Sequence, residues 1–363
     1  MTARFGYNGP MATGSSIAIF LPNWVGDVVM ATPAIRAMAR HWSGRRIVFV
    51  GRRAALATLG PAGEPEDLLE LPRGLWAGRR LLKRNGVSRA VLLPNSFRTA
   101  MLCWLGGAKR RAGYARDGRG WMLSDRLEPI RDERGRFKPV PTIEYYNALA
   151  RVLGADATSW RMALPVDDAD QAAADAILNE AKVDAVRPVV MLNPGAAFGP
   201  SKLWPAERYA VVADELIERR GAQIIINAAP SERGVAAAVA AAMKHSPAVS
   251  FAERDNSIGL LKALLRRSDL LITNDTGARH FAAAMETAVV TIFGSTDPTW
   301  ARIDYPRERQ LQVRVPCGPC QRKVCTQPPG DAFHQCMKAI TSEMVLAAAD
   351  DLLDAAAPRE AGI

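Results

Sequence analysis

The sequence predicts an α/β protein built from two doubly wound parallel-sheet domains of similar size. The chain has 363 residues, and a typical domain has about 150. Short β-branched or Leu-rich runs alternate with longer helical patterns, which is typical of parallel strands joined by crossover helices. The alternation restarts near residue 188, so we expect the same kind of unit twice.

The predicted strands fall into two series. Those of the first half are residues 17–21, 47–51, 68–71 and 90–93. Those of the second half are residues 189–193, 223–226, 248–251, 270–273 and 288–293. A helix is predicted at 145–153, and another follows Lys202, opened by Pro205 and stopped by Gly221. We place the domain boundary within 165–188, with domains at 1–170 and 171–363. An alternative position for the C-terminal helix is against the first domain.

Composition limits the class of protein. Hydrophobic residues make up 48% and charged residues 23% of the chain, which excludes a disordered chain. The apolar runs are too short for a membrane span or a secretory signal, so we expect a cytoplasmic protein. The net charge of +10 favours an anionic partner, and it leaves nucleic acid, phosphorylated small molecules and an anionic membrane face all open.

Ligands of doubly wound sheets bind beyond the carboxyl ends of strands, so the loops there are the candidates for chemistry. The first loop places Asp27 after the opening strand, with Gly26 beside it. Asp27 can be a helix N-cap, or a general base that accepts a proton from an attacking hydroxyl. The sequence leaves both interpretations open.

The second loop spans 193–205. Gly195 and Gly199 allow close backbone approach to a phosphate, a helix N-terminus follows, and Lys202 adds a positive charge. The pattern is neither a Walker loop nor G-x-G-x-x-G, which argues against a kinase or a dehydrogenase. A Gly/Pro turn with a solvated lysine is the alternative.

The third and fourth loops are also polar. Asn274, Asp275, Thr276 and Gly277 suit a pyrophosphate at a helix start, with His280 one turn further; the alternative is an Asx turn with ordinary capping. In the fourth loop, Asn95, Ser96 and Arg98 suit an anionic co-substrate, or form a turn and a helix cap. The cations nearby predict a solvated basic surface or a face toward phospholipid or phosphorylated glycolipid; they are Lys109, Arg110, Arg111, Arg116 and Arg119.

Four of the five cysteines cluster as Cys317-x2-Cys320-x4-Cys325-x10-Cys336, with His334 close to the last. Four thiolates suffice for a tetrahedral zinc site, but the intervals are not those of a common zinc ribbon. We therefore favour a loop packed by reduced thiols over a structural zinc.

Five segments together resemble the bacterial ADP-heptose:lipopolysaccharide heptosyltransferases of glycosyltransferase family 9, most like the type II members. They are LPNWVGDVVMATPAI from Leu21, LPNSFRTA from Leu93, NPGAAFGPSKLWP from Asn193, TNDTGARHFAAA from Thr273 and CGPCQRKVC from Cys317. The resemblance runs from about residue 17 to 345, in the family's order and spacing.

The resemblance implies a GT-B architecture, with two Rossmann-like domains facing a cleft, and inverting transfer that requires no cofactor or metal. It places the general base at Asp27. The donor-side residues it implies are Gly195, Ala196, Ala197, Lys202, Asn274, Asp275, Thr276, Gly277 and His280. The acceptor-side residues it implies are Asn23, Trp24, Gly26, Asn95, Ser96 and Arg98. Arg279 and Leu203 depart from the family pattern, and Glu232 is a candidate for binding the adenosine ribose.

The implied reaction moves L-glycero-D-manno-heptose from ADP-heptose to a heptose of the lipopolysaccharide inner core. The implied partners are that donor, an anionic core glycolipid and, transiently, the cytoplasmic face of the inner membrane. An acceptor such as Kdo or another inner-core sugar, and a GT-B nucleotide-sugar epimerase, are the enzymatic alternatives. A nucleic-acid-binding module is the alternative from another class; it predicts strongly salt-dependent binding and leaves the four loops without a purpose.

Overall fold

A computed structural model describes residues 14–60 and 67–355. The chain forms two compact units. The first comprises the residues up to Pro165 together with Thr299–Asp304, and the second comprises Val166–Pro298 and the chain from Tyr305 onward. The chain passes from the first unit to the second after Pro165 and returns to the first for the short segment Thr299–Asp304.

The first unit contains a six-stranded parallel sheet in the order β3-β2-β1-β4-β5-β6. Its strands are β1 Ser16–Phe20, β2 Ile47–Gly51, β3 Leu68–Glu70, β4 Val87–Leu92, β5 Arg110–Tyr114 and β6 Asp125–Leu127. Its helices are α1 Val25–His41, α2 Arg53–Leu59, α3 Leu75–Arg84, α4 Phe97–Leu105 and α5 Thr142–Val152. All five residues of β1 are buried, as expected for a central strand covered by helices on both faces.

The second unit contains a six-stranded parallel sheet in the order β12-β11-β10-β7-β8-β9. Its strands are β7 Val189–Asn193, β8 Gln223–Ile226, β9 Val249–Ser250, β10 Leu270–Asn274, β11 Ala288–Phe293 and β12 Glu308–Gln312. Its helices are α6 Asp168–Glu180, α7 Ala206–Arg220, α8 Arg233–Ala242, α9 Ile258–Arg266, α10 Gly277–Ala284, α11 Gln335–Lys338 and α12 Ser342–Asp354. The C-terminal helix α12 packs on α7 and β11 of this unit.

Both sheets share one topology, since each runs 3-2-1-4-5-6 when its strands are counted from its own first strand. The strand order of such a sheet reverses between its first and fourth strands, and ligands bind at that switch point. The switch points are β1/β4 in the first unit and β7/β10 in the second. The four loops selected from the sequence follow these four strands, so the fold gathers them in pairs, one pair per unit.

The predicted α/β class is confirmed, and three strands were missed. Strands β5 and β6 lie in an Arg- and Gly-rich stretch, and β12 carries charged and polar side chains. These outer strands are more exposed than the central ones, so they lack the continuous apolar run that marks a buried strand. In the described parts of the chain, no helix combines the length and the apolar character that crossing a membrane requires.

Candidate active site

Asp27 lies in the first turn of α1 and is not its N-cap. The N-cap residue is Trp24, and its side chain makes no capping hydrogen bond. The interpretation of Asp27 as an N-cap is therefore wrong. The side chain is only partly exposed, and burial raises the pKa of its carboxyl from 3.8 to about 6. A carboxylate with this pKa can exchange a proton near neutral pH, as a general base must.

Helix α5 packs along α1 and connects Asp27 to the loop after β4, which contains Asn95. Tyr146 is buried beside Asp27, and burial together with the nearby carboxylate raises the pKa of its hydroxyl. The neighbouring Tyr145 donates a hydrogen bond of 3.1 Å to Oδ1 of Asn95, and its ring stacks on Tyr114 at 3.6 Å. Asp27 and Asn95 thus belong to one connected site.

Asn95 is held by a buried arginine that the sequence had placed on a solvated surface. Arg119 is fully buried, so that expectation is wrong for it. Its guanidinium donates to Oδ1 of Asn95 at 2.9 Å, to the carbonyl of Tyr114 at 3.0 Å and to the carbonyl of Pro94. Because Oδ1 of Asn95 already accepts two hydrogen bonds, its amide NH2 is the group suited to a ligand.

The other residues expected on the acceptor side have mixed positions. Ser96 is the N-cap of α4, accepting a 3.3 Å hydrogen bond from the amide of Thr99, as the alternative interpretation predicted. Arg98 donates to the carbonyls of Pro72 and Arg73 in the loop before α3. Asn23 and Trp24 are exposed at the start of α1, and Gly26 is buried there.

In the second unit, the loops after β7 and β10 meet at Lys202 and Asp275. The Lys202 ammonium lies 2.5 Å from the Asp275 carboxylate and 2.8 Å from its carbonyl oxygen. Thr296 donates a further 2.7 Å hydrogen bond to the same carboxylate. Burial opposes ionisation of Asp275, but Lys202 and Thr296 hold its pKa below the usual range. The ammonium also lies 4.8 Å from the ring centre of Phe198.

Helix α10 begins directly beside this ion pair. Thr276 is its N-cap residue, yet its side chain makes no capping hydrogen bond. Its hydroxyl instead lies 3.2 Å from the hydroxyl of Thr273 and accepts a 3.3 Å hydrogen bond from the side-chain Nδ2 of Asn193. Thr276 and Gly277 are partly exposed. The first amides of the helix therefore lack a side-chain cap, and such amides with the helix dipole attract anions.

The side chain of Asn274, which the resemblance placed on the donor side, is bound entirely to protein groups and acts as a positioning residue. Its Nδ2 donates to the carbonyls of Pro194 and Gly195, at 2.7 and 3.2 Å. Its Oδ1 accepts hydrogen bonds from the Trp204 amide and the Tyr209 hydroxyl. Two donors and two acceptor positions exhaust the capacity of an amide side chain. Asn274 thus fixes the loop after β7 to the end of β10.

The two glycines of the loop after β7 approach protein groups closely. A Cβ at Gly195 would collide with the Glu232 carboxylate, and a Cβ at Gly199, whose φ is +153°, would collide with the carbonyl of Lys323. Burial raises the pKa of Glu232, while a hydrogen bond from the Ala196 backbone opposes that change. Gly195 therefore admits an acidic side chain to the loop that carries Ala196 and the exposed Ala197.

His280 and Arg279 lie buried inside α10. Burial, reinforced by the charge of Arg279, lowers the pKa of His280 to about 3, so its ring is neutral at pH 7. Within the described residues its Nδ1 atom has no hydrogen-bond partner. Arg279, which the family pattern left unexplained, forms a buried bidentate pair with Glu308 of β12, including a bond of 2.8 Å from Nη2. The extra charge is thus structural.

The segment that contains the four clustered cysteines packs against the loop that carries Lys202. The amide of Ser201 donates to the carbonyl of Lys323, and its hydroxyl lies 3.0 Å from that of Ser295. The four clustered cysteines and His334 line a cavity of about 340 Å³ in this region. Across residues 14–60 and 67–355, no group of three or more His, Cys, Asp or Glu side chains is arranged to hold a metal ion. The structure therefore does not support a zinc site there.

Three positioning residues were missed by sequence reasoning: Thr296, Tyr145 and Arg119. Each lies far along the chain from the group it holds, so no local spacing links the two. The run Gly294-Ser295-Thr296 after a predicted strand was the one usable signal, because it marks another strand-end loop. Tyr145 and Arg119 gave no signal that distinguishes them from packing or surface residues.

Two Rossmann-like units, each with a polar switch point, are characteristic of the GT-B class of glycosyltransferases. The model of glycosyltransferase family 9 (heptosyltransferase) matches residues 75–330. This match covers well over half of the chain, which therefore belongs to family 9 and is a glycosyltransferase.

Individual relatives and solved structures agree with this family. Lipopolysaccharide heptosyltransferase 2 of Escherichia coli K12 is 26% identical over 93% of this chain and 98% of its own. The structure of E. coli ADP-heptose lps heptosyltransferase II covers 93% of this chain and 98% of its own, with a TM-score of 0.74 at 24% identity. E. coli heptosyltransferase WaaC with ADP-2-deoxy-2-fluoro heptose covers 93% and 99%, with a TM-score of 0.62 at 16% identity.

Proposed function

We propose that this enzyme transfers heptose from ADP-heptose to a heptose of the lipopolysaccharide inner core. The observation that carries the proposal is the chemical contrast between the two switch points. The first unit holds a carboxylate whose pKa is about 6, and the second holds a lysine beside an uncapped helix N-terminus. The names of the relatives, lipopolysaccharide or lipooligosaccharide heptosyltransferase 2, support the same substrates.

The donor in this proposal binds to the second unit. Its pyrophosphate accepts hydrogen bonds from the first amides of α10, next to Thr276 and Gly277. The ammonium of Lys202 stabilises its negative charge. Glu232 is an acceptor of hydrogen bonds, which suits the ribose hydroxyls and disfavours a phosphate at the same point. Ala196 and Ala197 contribute backbone to this site, and neutral His280 packs beneath it.

The chemistry in this proposal is a single displacement with inversion and without a metal. Asp27 takes the proton of the acceptor hydroxyl as that oxygen attacks the anomeric carbon. The bond to the ADP oxygen breaks in the same step, and negative charge grows on the pyrophosphate. Lys202 and the helix amides stabilise that charge, so they act on the leaving group while Asp27 acts on the nucleophile.

The acceptor in this proposal is an anionic, lipid-anchored core sugar bound by the first unit. Asn95 offers its amide NH2, and Asn23 and Trp24 offer exposed polar and aromatic groups beside Asp27. Ser96, Arg98 and Gly26 shape the same loops. The reaction takes place on the cytoplasmic face of the inner membrane, with transient contact between enzyme and lipid surface and with no nucleic acid involved.

Transfer assays with ADP-heptose and a panel of truncated core glycolipids test this function. The expected result is transfer to acceptors that end in the first inner-core heptose and none to shorter ones. Transfer to an acceptor that ends in Kdo would replace the proposed acceptor. Conversion of ADP-heptose in the absence of any glycolipid would identify an epimerase and contradict the proposal.

A further inference from the structure

The first unit exposes tryptophans, and the described part of the second unit does not. Trp76, Trp104 and Trp121 are 65%, 48% and 62% exposed. The large apolar side chains exposed on the second unit are three valines and Phe333. Because burying an aromatic ring is strongly favourable, several exposed tryptophans on one unit mark an interaction surface.

Direct contacts place these tryptophans on one surface. The rings of Trp104 on α4 and Trp121 in the 3-10 helix Gly120–Met122 meet edge to face at 5.8 Å. Trp76 on α3 lies 5.8 Å from the guanidinium of Arg79, which donates a 3.1 Å hydrogen bond to the carbonyl of Leu105, next to Trp104. We call this surface, formed by α3, α4 and that 3-10 helix, the tryptophan face.

The tryptophan face belongs to a strongly basic stretch of the chain, and α3 carries exposed cations on it. Residues 71–116, which include α3 and α4, contain eleven Lys or Arg residues and no Asp or Glu. This stretch alone carries +11, more than the net +10 of the whole chain. On α3, Arg80, Lys83 and Arg84 are exposed and lie four to eight residues after Trp76, on the same side of the helix. Such a surface repels a second copy of itself and attracts a polyanion.

Helix α4 connects the tryptophan face to the loop after β4, which contains Asn95 and Ser96 and which we call the acceptor loop. Phe97, Met101 and Trp104 follow one another at helical spacing, and Phe97 is 40% exposed. This apolar stripe begins immediately after Asn95 and Ser96. A large partner that contacts Trp104 can therefore extend along α4 as far as the acceptor loop.

We propose that the tryptophan face docks on an anionic phospholipid bilayer and so presents the acceptor loop to a lipid-anchored substrate. Tryptophan prefers the interface between hydrocarbon and headgroups, and clustered Lys and Arg bind anionic headgroups. The inference rests on the proposed function, since it takes the acceptor to be anchored in a membrane. It adds the surface that makes the contact.

Vesicle sedimentation tests the docking surface directly. The probes are vesicles of phosphatidylcholine alone and vesicles containing about 30% phosphatidylglycerol. The wild-type chain is expected to bind the anionic vesicles at least about tenfold more tightly. Trp104→Gln/Trp121→Gln and, separately, Lys83→Glu should each weaken that binding about tenfold. Lys244→Glu, the same change at an exposed lysine of the second unit, should leave it unchanged.

Equal binding to neutral and anionic vesicles would overturn the inference, as would equal losses from Lys83→Glu and Lys244→Glu. Tryptophan-dependent binding of an oligouridylate with no binding to vesicles would also overturn it, in favour of a nucleic-acid surface. The Lys83→Glu result decides the matter if the double tryptophan variant fails to fold.

A second readout separates this inference from the proposed function. Transfer to acceptor embedded in vesicles should fall about tenfold in the tryptophan and Lys83 variants, while transfer to the delipidated saccharide stays at the wild-type level. Equal losses on both acceptors would contradict a docking role. If the proposed function is wrong, the wild-type enzyme transfers to neither acceptor, and vesicle binding still tests the surface.

Discussion

The two switch points share one topology and differ in their electrostatics. In the first unit, burial opposes the charge of Asp27, so its carboxyl has a raised pKa. In the second unit, Lys202 and Thr296 stabilise the charge of the buried Asp275, so its pKa is lowered. A carboxylate that lacks strong partners is suited to accept a proton, whereas a paired one positions its lysine. The two carboxylates lie in different loops of the same topology, after β1 and after β10, and their different partners suit them to different roles.

The largest expected effect is the loss of transfer in Asp27→Asn. The amide keeps the size of the side chain and removes its basicity, so kcat should fall by roughly 10³-fold. Calorimetric titration with ADP should give an unchanged affinity, because the proposed donor site lies in the other unit. Asp168→Asn, the same change in the first turn of α6, is the control and should keep full activity. A loss below tenfold in Asp27→Asn would remove Asp27 from its role.

Arg279→Met should strongly destabilise the second unit. It leaves Glu308 buried without its cation, which costs about 3–5 kcal/mol of unfolding free energy. Urea denaturation measures the loss. The double variant Arg279→Met/Glu308→Leu should recover most of it, because replacing a whole buried pair is far less costly than breaking it. Wild-type stability in the single variant would show that the pair is not structural.

Lys202→Met should weaken ADP binding by roughly 10- to 100-fold, which corresponds to about 1.4–2.7 kcal/mol. The variant loses the cation and also leaves the Asp275 carboxylate to repel the pyrophosphate. Lys244→Met, the same substitution on the exposed surface of this unit, should bind ADP normally. Unchanged ADP affinity in Lys202→Met would separate the lysine from the donor.

Asp27→Asn should also stabilise the protein at alkaline pH. The folded-state pKa of about 6 exceeds the unfolded value of 3.8, so folding favours the protonated form. The contribution of Asp27 to the free energy of unfolding is therefore fully present below about pH 4 and is lost as the pH rises through 6. At pH 8 the amide should therefore add about 1–2 kcal/mol after allowance for solvent screening, a gain that shrinks at pH 5. Thermal unfolding at both pH values checks this; a gain independent of pH would indicate another cause.

Much of the fold was readable from the sequence because its central strands are continuous apolar runs. Strands β2, β7, β8 and β11 begin and end at the predicted residues. The ends predicted for α7 are also confirmed, with Pro205 as its N-cap residue and Gly221 as its C-cap residue. The outer strands β5, β6 and β12 were missed because their polar side chains face solvent in part and break that signal.

The candidate site was readable only as loops. Strand-end positions selected the segments that contain Asp27, Asn95, Lys202 and Asp275, because a parallel sheet places the carboxyl ends of its strands at one edge. The role of each side chain depends on partners that are distant along the chain. The side chain of Asn274, for example, makes four hydrogen bonds to protein groups, and no local pattern in the sequence indicates them.

The pH dependence of kcat/KM for transfer tests the central claim most directly, because it reports the ionisation of the free enzyme's base. Asp27 with a pKa of about 6 predicts a plateau above pH 7 and a fall that approaches tenfold per pH unit below pH 6. The small residual activity of Asp27→Asn should lack this dependence. A wild-type profile that stays flat between about pH 5 and 8, or the same profile in the variant, would contradict the account.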